Sequence, residues 1–280
     1  MSDKEAVSIS CPIEDQEIKN ALWTMKPFKA LGPNGLYAGF FQHFWLLVGD
    51  SVKCTVKEAF AASKVPQNLN KTLITLIPKL LGVDKLSNYR PISLCNTIYK
   101  IITKIIVMRI RPLLPRIISP MQSTFVPRRK GLDNMIITQD IIHTMSGKKG
   151  KTGFMALKID LKKAYDRLEW SFIRDTLILF NIPKYLVDVI MSCVSSSSIA
   201  VLLNGGALEE FQPSRETRKG DPLSPNIFII CMEVLGYMIK HKCDSNLWDP
   251  VKSSRGSLAF SQLFFIDDLV LFGKADMKNC

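Results

Sequence analysis

The stretch "FFIDDLVLF", residues 264–272, sets two adjacent aspartates, Asp267 and Asp268, between two apolar runs. Each run reads as a β-strand, which puts the acids at the tip of a hairpin. Two neighbouring carboxylates repel each other unless a cation offsets them. A solvated turn needs no cation, so the pair alone does not choose between a turn and a metal site.

A second strand supplies another acid. "FMALKID", residues 154–160, alternates, with Met155, Leu157 and Ile159 on one face and Lys158 and Asp160 on the other. It ends at Asp160. A strand-end aspartate beside a hairpin bearing two more would form a convergent oxygen cluster. Such clusters suit Mg²⁺, which takes one or two carboxylates together with water and substrate phosphate. Two ions can activate an attacking hydroxyl and stabilise a leaving pyrophosphate. Phosphoryl transfer asks for little more than positioning and charge neutralisation. Taken singly, each acid has a plainer reading, as a helix cap or a solvated turn.

The rest of the chain supplies a mixed frame. "TLITLIPK" (72–79) is a β-rich run ended by Pro78, and "NYRPISLCN" (88–96) is extended because Arg90 precedes Pro91. A helix starts at Thr97, with Ile98, Ile101, Ile102, Ile105 and Ile106 as its apolar stripe and Lys100, Lys104 and Arg111 on another face. A second is expected from Asp133 as N-cap, burying Ile137, Ile141 and Met145. A third carries Phe172, Ile173, Thr176 and Leu177 at helical spacing, and Ile199–Leu203 reads as a strand before a Gly205-Gly206 turn. Ser224 and Pro225 suit the N-cap and first position of a long helix that turns Phe228, Cys231, Met232, Leu235 and Ile239 to the core. Upstream, Gly32-Pro33-Asn34-Gly35 is a turn signal, and Phe40, Phe41, Phe44 and Trp45 are expected in the core.

Composition narrows the class. The 280 residues are 47% hydrophobic, enough for a large core and two lobes. No apolar run reaches the roughly 18 residues of a membrane span, and the start has no secretory apolar region. Seven cysteines never form a C-x-x-C pair and read as reduced core thiols. The net charge is +12, and residues 53–149 hold 17 Lys/Arg against 4 Asp/Glu, so one segment carries the excess. A localised basic region favours a polyanion partner such as nucleic acid or nucleotide phosphate.

"ALKIDLKKAYDRLEW", "YRPISLCNTIYKIITKII", "GDPLSP" and "FIDDLVLF" together resemble the reverse transcriptases of non-LTR (LINE-type) retrotransposons, especially plant elements. The resemblance runs from "KALGPNG" at residue 29 to the end. It implies an α+β fold, a right-hand polymerase with fingers and palm, its antiparallel palm sheet backed by helices. Residues 1–52 would form an N-terminal lead and the start of the fingers, 53–150 the basic fingers, and 151–280 the palm. Residues 170–212 would contribute partly to the fingers. The chain is expected to stop before the thumb.

The implied function is RNA-directed DNA polymerase. Its partners would be an RNA template, a DNA primer and dNTPs, with no membrane, inside the cell and at a nuclear site of action. Asp160, Asp267 and Asp268 fall on the catalytic carboxylates that would hold two Mg²⁺ ions, with the Leu161 carbonyl as a further ligand. Tyr165 falls on the aromatic position that excludes a 2′-hydroxyl. Lys79 and Arg90 match cations near the triphosphate, as a point charge and a fork respectively. Lys219 and Gly220 lie at the nucleotide. Arg128, Arg129 and Lys130 would contact nucleic-acid backbone. Asp166 is read as a helix first-turn acid.

Ile266 stands where the family usually has Ala, Lys219 where it has Gln, and Gln262 where it has His. Glu216 to Lys219 replace a glycine-led lead. These departures leave the carboxylates in place but keep open a second reading, a non-catalytic nucleic-acid-binding relic. A third, an RNA-dependent RNA polymerase, would carry an acid where Tyr165 stands.

Overall fold

A computed structural model describes residues 1–148, 153–252, 258–266 and 268–276. Along the chain run α1 (Asp3–Ile9), α2 (Asp15–Trp23), α3 (Ala38–His43), α4 (Trp45–Ala61), β1 (Lys71–Pro78), β2 (Tyr89–Cys95), α5 (Thr97–Ile110) and α6 (Leu114–Ile117). Then follow α7 (Gly131–Gly147), β3 (Gly153–Asp160), α8 (Trp170–Leu179), α9 (Lys184–Ser195), β4 (Ser198–Leu203) and β5 (Gly206–Ala207). The last elements are α10 (Ser224–Asp244), β6 (Val251–Lys252), β7 (Ala259–Phe260), β8 (Gln262–Phe265) and β9 (Asp268–Ala275). The chain is mixed α and β, and it divides into two compact units, each assembled from two separated stretches.

The first unit is Met1–Arg111 with Tyr165–Ile227. Its sheet has the order β2-β1-β4-β5 and is mixed, since β1 pairs antiparallel with β2 and parallel with β4. Its core is built around α5, which packs against α2, α4 and α9. Tyr99, Ile101, Ile102, Ile105 and Ile106 of α5 are fully buried. That many large apolar side chains on one helix demand neighbours on several sides. Ile18 and Leu22, Val52 and Val56, and Leu186 and Ile190 supply them.

The second unit is Pro112–Ala164 with Phe228–Cys280. Its main sheet has the order β3-β9-β8 and is antiparallel throughout. Ile141 of α7 packs with Val251, Leu263, Val270 and Phe272, and Ile137, Met145 and Phe154 close the cluster. The alternation in β9 places Val270 and Phe272 on one face, which is the face α7 covers.

Several sequence expectations need correction. Asp133 is not the N-cap of α7. The N-cap is Lys130, three residues earlier, and Asp133 at N3 accepts from the Lys130 main-chain N–H at 3.2 Å. The carboxylate therefore stabilises the same helix end from inside the first turn. Phe44 is not core; it links α3 to α4 and is 41% exposed. Cys95, Cys193 and Cys231 are buried free thiols, as expected, but Cys11 and Cys54 are exposed. Among the described residues no helix is long and apolar enough to cross a membrane.

Candidate active site

In the second unit, β3 and β9 pair from Gly153↔Ala275 to Asp160↔Asp268. The register therefore sets Asp160 directly opposite Asp268. Directly opposed residues share a sheet face, with Cβ atoms roughly 5 Å apart, and like charges so placed destabilise the pair. A cation answers them. Lys158, two residues before Asp160 and so on its face, puts Nζ 3.1 Å from Oδ2 of Asp268. Asp160 is exposed and Asp268 half-buried. The strand ends there, and the Lys162 N–H turns back to the Asp160 carbonyl at 3.0 Å, leaving Leu161 half-buried in the bend.

These donors fit a hard divalent cation, because two carboxylates converge on one face and already draw in an ammonium. Asp267, the third acid, lies outside the described residues. Among those described, no cluster of three ligating side chains forms.

The hairpin carries a backbone constraint. Phe265 pairs with Asp268, and Ile266 follows β8 in a turn. Ile266 has φ of 59°. Short hairpin connections favour positive φ, but with Gly, Asn or Asp. A β-branched residue there is a genuine outlier.

In the first unit, the loop "RKGDP" (218–222) is pinned at two points. Gly220 has φ of 114°, and a Cβ there would stand 2.7 Å from the Ser93 carbonyl oxygen of β2. The Ser93 N–H donates to the Lys219 carbonyl at 2.7 Å. Gly220 is thus required by the close approach of β2. Arg218, which sequence reasoning missed, is the second point. It is 4% exposed and donates to Asn70 Oδ1 at 2.7 Å, Thr72 Oγ1 at 2.8 Å and the Cys193 carbonyl at 2.7 Å. It also donates to the Tyr99 hydroxyl, which donates on to Asp221 Oδ2 at 2.5 Å. The guanidinium stacks 4.3 Å from the Tyr99 ring centroid. Burial pushes the Tyr99 hydroxyl well above its ordinary value, so it stays protonated. A tyrosine at a fully buried helix position was the available signal, since its hydroxyl must find a partner.

The other predicted residues of this unit fall in two places. Lys219 Nζ lies 3.1 Å from Asp166 Oδ1, so Asp166 is an ion-pair partner as well as a first-turn acid of the short 3₁₀ helix Ala164–Arg167. Tyr165 of that helix accepts at its carbonyl from the Thr217 N–H at 3.0 Å. Lys79 and Arg90 lie at one end of the β1–β2 pair. Arg90 faces Ile77, and the Lys79 N–H donates to the Asn88 carbonyl at 2.9 Å. Both side chains are exposed, and Lys79 Nζ donates to the Ser87 carbonyl at 2.9 Å.

A cavity of about 400 Å³ in the same unit is walled by Lys26, Lys29, Lys100 and Lys104, with Tyr37 and Gly220 among its lining. Charge counting hid it, because Lys26 and Lys29 lie in a segment that is net acidic. Burial, with Arg111 nearby, pulls the Lys104 ammonium below its ordinary value, and its Nζ donates to Thr24 Oγ1 at 2.6 Å.

Of the basic triplet in the second unit, Arg128 and Lys130 are exposed. Arg129 has a different task. It donates to the carbonyls of Ser119, Gln122, Pro115 and Ile118, tying down the loop after α6.

The family model described as reverse transcriptase (RNA-dependent DNA polymerase) matches residues 77–279. The chain belongs to the reverse transcriptase family. This bears out the resemblance to enzymes of LINE-type elements read from the motifs. A transposon TX1 uncharacterized 149 kDa protein from Xenopus laevis is 29% identical over 83% of this chain and 18% of its own length. The retrovirus-related Pol polyprotein from type-2 retrotransposable element R2DM of Drosophila melanogaster is 27% identical over 76% of this chain and 19% of its own. A Pol polyprotein from the type-1 retrotransposable element R2 of Popillia japonica is 24% identical over 95% of this chain and 35% of its own. The reverse transcriptase chain therefore spans about a fifth to a third of these relatives.

Proposed function

We propose that this chain is the polymerase core of a retroelement protein, adding deoxynucleotides to a primer 3′-hydroxyl on an RNA template. The observation that carries the reading is the Asp160↔Asp268 register, which aligns two carboxylates on one sheet face. Asp160, Asp267 and Asp268, with the Leu161 carbonyl, would hold two Mg²⁺ ions. When bound, the ions would activate the primer hydroxyl and stabilise the departing pyrophosphate.

The remaining work belongs to the chain. Lys79 and Arg90 would hold triphosphate oxygens, the lysine as a point charge and the arginine as a fork. Lys219, steadied by Asp166, would stand at the nucleotide. Tyr165 would exclude a 2′-hydroxyl. Arg128 and Lys130, and the four lysines around the 400 Å³ cavity, would take backbone phosphates, contacts that position a strand without reading its sequence. In this reading the β3-β9-β8 sheet is the palm, and the β1–β2 region belongs to the fingers.

The test is single-nucleotide incorporation on an RNA template with a DNA primer and Mg²⁺. Incorporation of dNTP over rNTP is expected, with Tyr165→Ala narrowing the difference. Preferential rNTP addition would contradict the reading. A protein that binds primer–template yet adds nothing would establish the relic reading, which the positive φ of Ile266 favours.

A further inference from the structure

Glu233 lies midway along α10 and is 2% exposed, and its Oε2 has no hydrogen-bond partner. A buried carboxylate oxygen without a donor is costly and calls for an explanation. The arginine whose charge it feels, Arg129, already directs its terminal nitrogens at four main-chain carbonyls. Burial pushes the Glu233 carboxyl up to about 7, with Ser119 and Arg129 pulling the other way. The Ser119 N–H and hydroxyl lie beside the carboxyl and draw it down, yet neither Glu233 Oε2 nor Ser119 Oγ has a partner at full hydrogen-bond geometry.

Glu233 and Ser119 line a cavity of about 560 Å³, all within the second unit. That volume is in the ordinary range for small-molecule sites. Its walls include Pro120, Met121, Pro250 and Leu258. Tyr237, Lys240 and Asp244 lie three and four residues apart on the same face of α10 as Glu233. Once Glu233 ionises, its charge and that of Asp244 exceed that of Lys240, so a cation seated here favours the ionised form.

We propose that this cavity binds a small organic cation, an amine or amidine on an apolar body, with Glu233 Oε2 and Ser119 Oγ receiving its N–H groups. The apolar walls take the body, and the acidic lining selects the cation over a neutral or anionic head. The site is separate from Asp160 and Asp268 and does not depend on their role.

Gly236 offers a clean probe of the cavity. A Cβ there would stand 3.5 Å from the Phe264 ring and 3.8 Å from Glu233 Oε1, ordinary contact distances. Gly236→Ala therefore narrows the cavity at Glu233 without a collision, and alanine strengthens the helix.

The experiment is titration of the protein with benzamidine and with its uncharged counterpart benzamide, followed by ligand-observed NMR. Saturable benzamidine binding is expected, with benzamide at least about tenfold weaker. Glu233→Gln should weaken benzamidine about tenfold, and Gly236→Ala should weaken it too. Asp160→Asn should leave it unchanged, so failure here and failure of the polymerase reading are distinguishable. Absence of saturable binding, equal binding of benzamide, or benzamidine binding indifferent to both cavity variants would each overturn the proposal. If Glu233→Gln does not fold, Gly236→Ala and the benzamide comparison decide it.

Discussion

Lys158 Nζ stands 3.1 Å from Oδ2 of Asp268, while the strand register holds Asp160 directly across from the same aspartate. One ammonium thus sits where a metal ion would compete. The pair is largely solvated, so it adds under about 1 kcal/mol to stability. Lys158→Ala should leave the unfolding midpoint nearly unchanged and raise Mg²⁺ affinity a few-fold, because a competing charge is gone. Titration with Mn²⁺ as a paramagnetic stand-in reads this directly. Unchanged or weaker affinity would show that Lys158 does not compete for the carboxylates.

Gly220 tests the pinned loop. Its φ of 114° and the 2.7 Å approach to Ser93 leave no room for a side chain. Gly220→Ala should destabilise the protein by on the order of 2–4 kcal/mol, from strain and from loss of the Ser93–Lys219 contact. Denaturant unfolding measures it. A loss below about 0.5 kcal/mol, the range of an ordinary surface change, would show the approach is not rigid.

Ile266 holds a left-handed conformation that its branched side chain disfavours. Ile266→Gly should raise stability by about 0.5–1 kcal/mol, the strain relief exceeding the loss of a half-buried side chain. Thermal unfolding of the two proteins provides the comparison. Equal or lower stability of the glycine variant would mean that the hairpin is not strained.

Glu233 sets a pH dependence. Its carboxyl is raised to about 7 from an ordinary value of 4.5, so the fold prefers the protonated form. Below about pH 4.5 both states hold the proton and the group costs nothing. As pH rises toward 7 the unfolded chain releases its proton first, and stability falls by on the order of 2–3 kcal/mol. Ser119 and then Arg129 act against this shift, and Lys240, Tyr237 and Asp244 face the same cavity. Glu233→Gln should gain on the native protein by more at pH 8 than at pH 5. A difference between the two that does not change with pH would contradict the buried carboxyl.

Much of the site's frame was legible because strand alternation has a short period. The alternation in "FMALKID" and the apolar runs around Asp267-Asp268 suffice to place Asp160 at a strand end and Asp268 at a hairpin. The apolar face of β3 does not mark its partner, because Leu157 and Ile159 stay exposed. Long-range polar contacts were not legible. Arg218 reaches Asn70 and Tyr99, 148 and 119 residues away, and no local pattern marks such a pairing. Arg129 reads as one of three nucleic-acid-contacting cations because the carbonyls it binds belong to a loop whose course the sequence does not set. The exposure of Phe44 was hidden by aromatic spacing that suits a core equally well. The α7 N-cap lies three residues before Asp133, since Asp serves equally at the N-cap and at N3.

The proposed polymerase site stands on the facing carboxylates of β3 and β9. Its most direct test is single-turnover incorporation of one dNTP on an RNA-templated DNA primer, comparing the native protein with Asp268→Asn. That change keeps the shape and the strand but removes the charge. Mg²⁺-dependent extension by the native protein is expected, with a loss of about a thousandfold or more in the variant and primer–template binding retained. Equal extension by both proteins would contradict it.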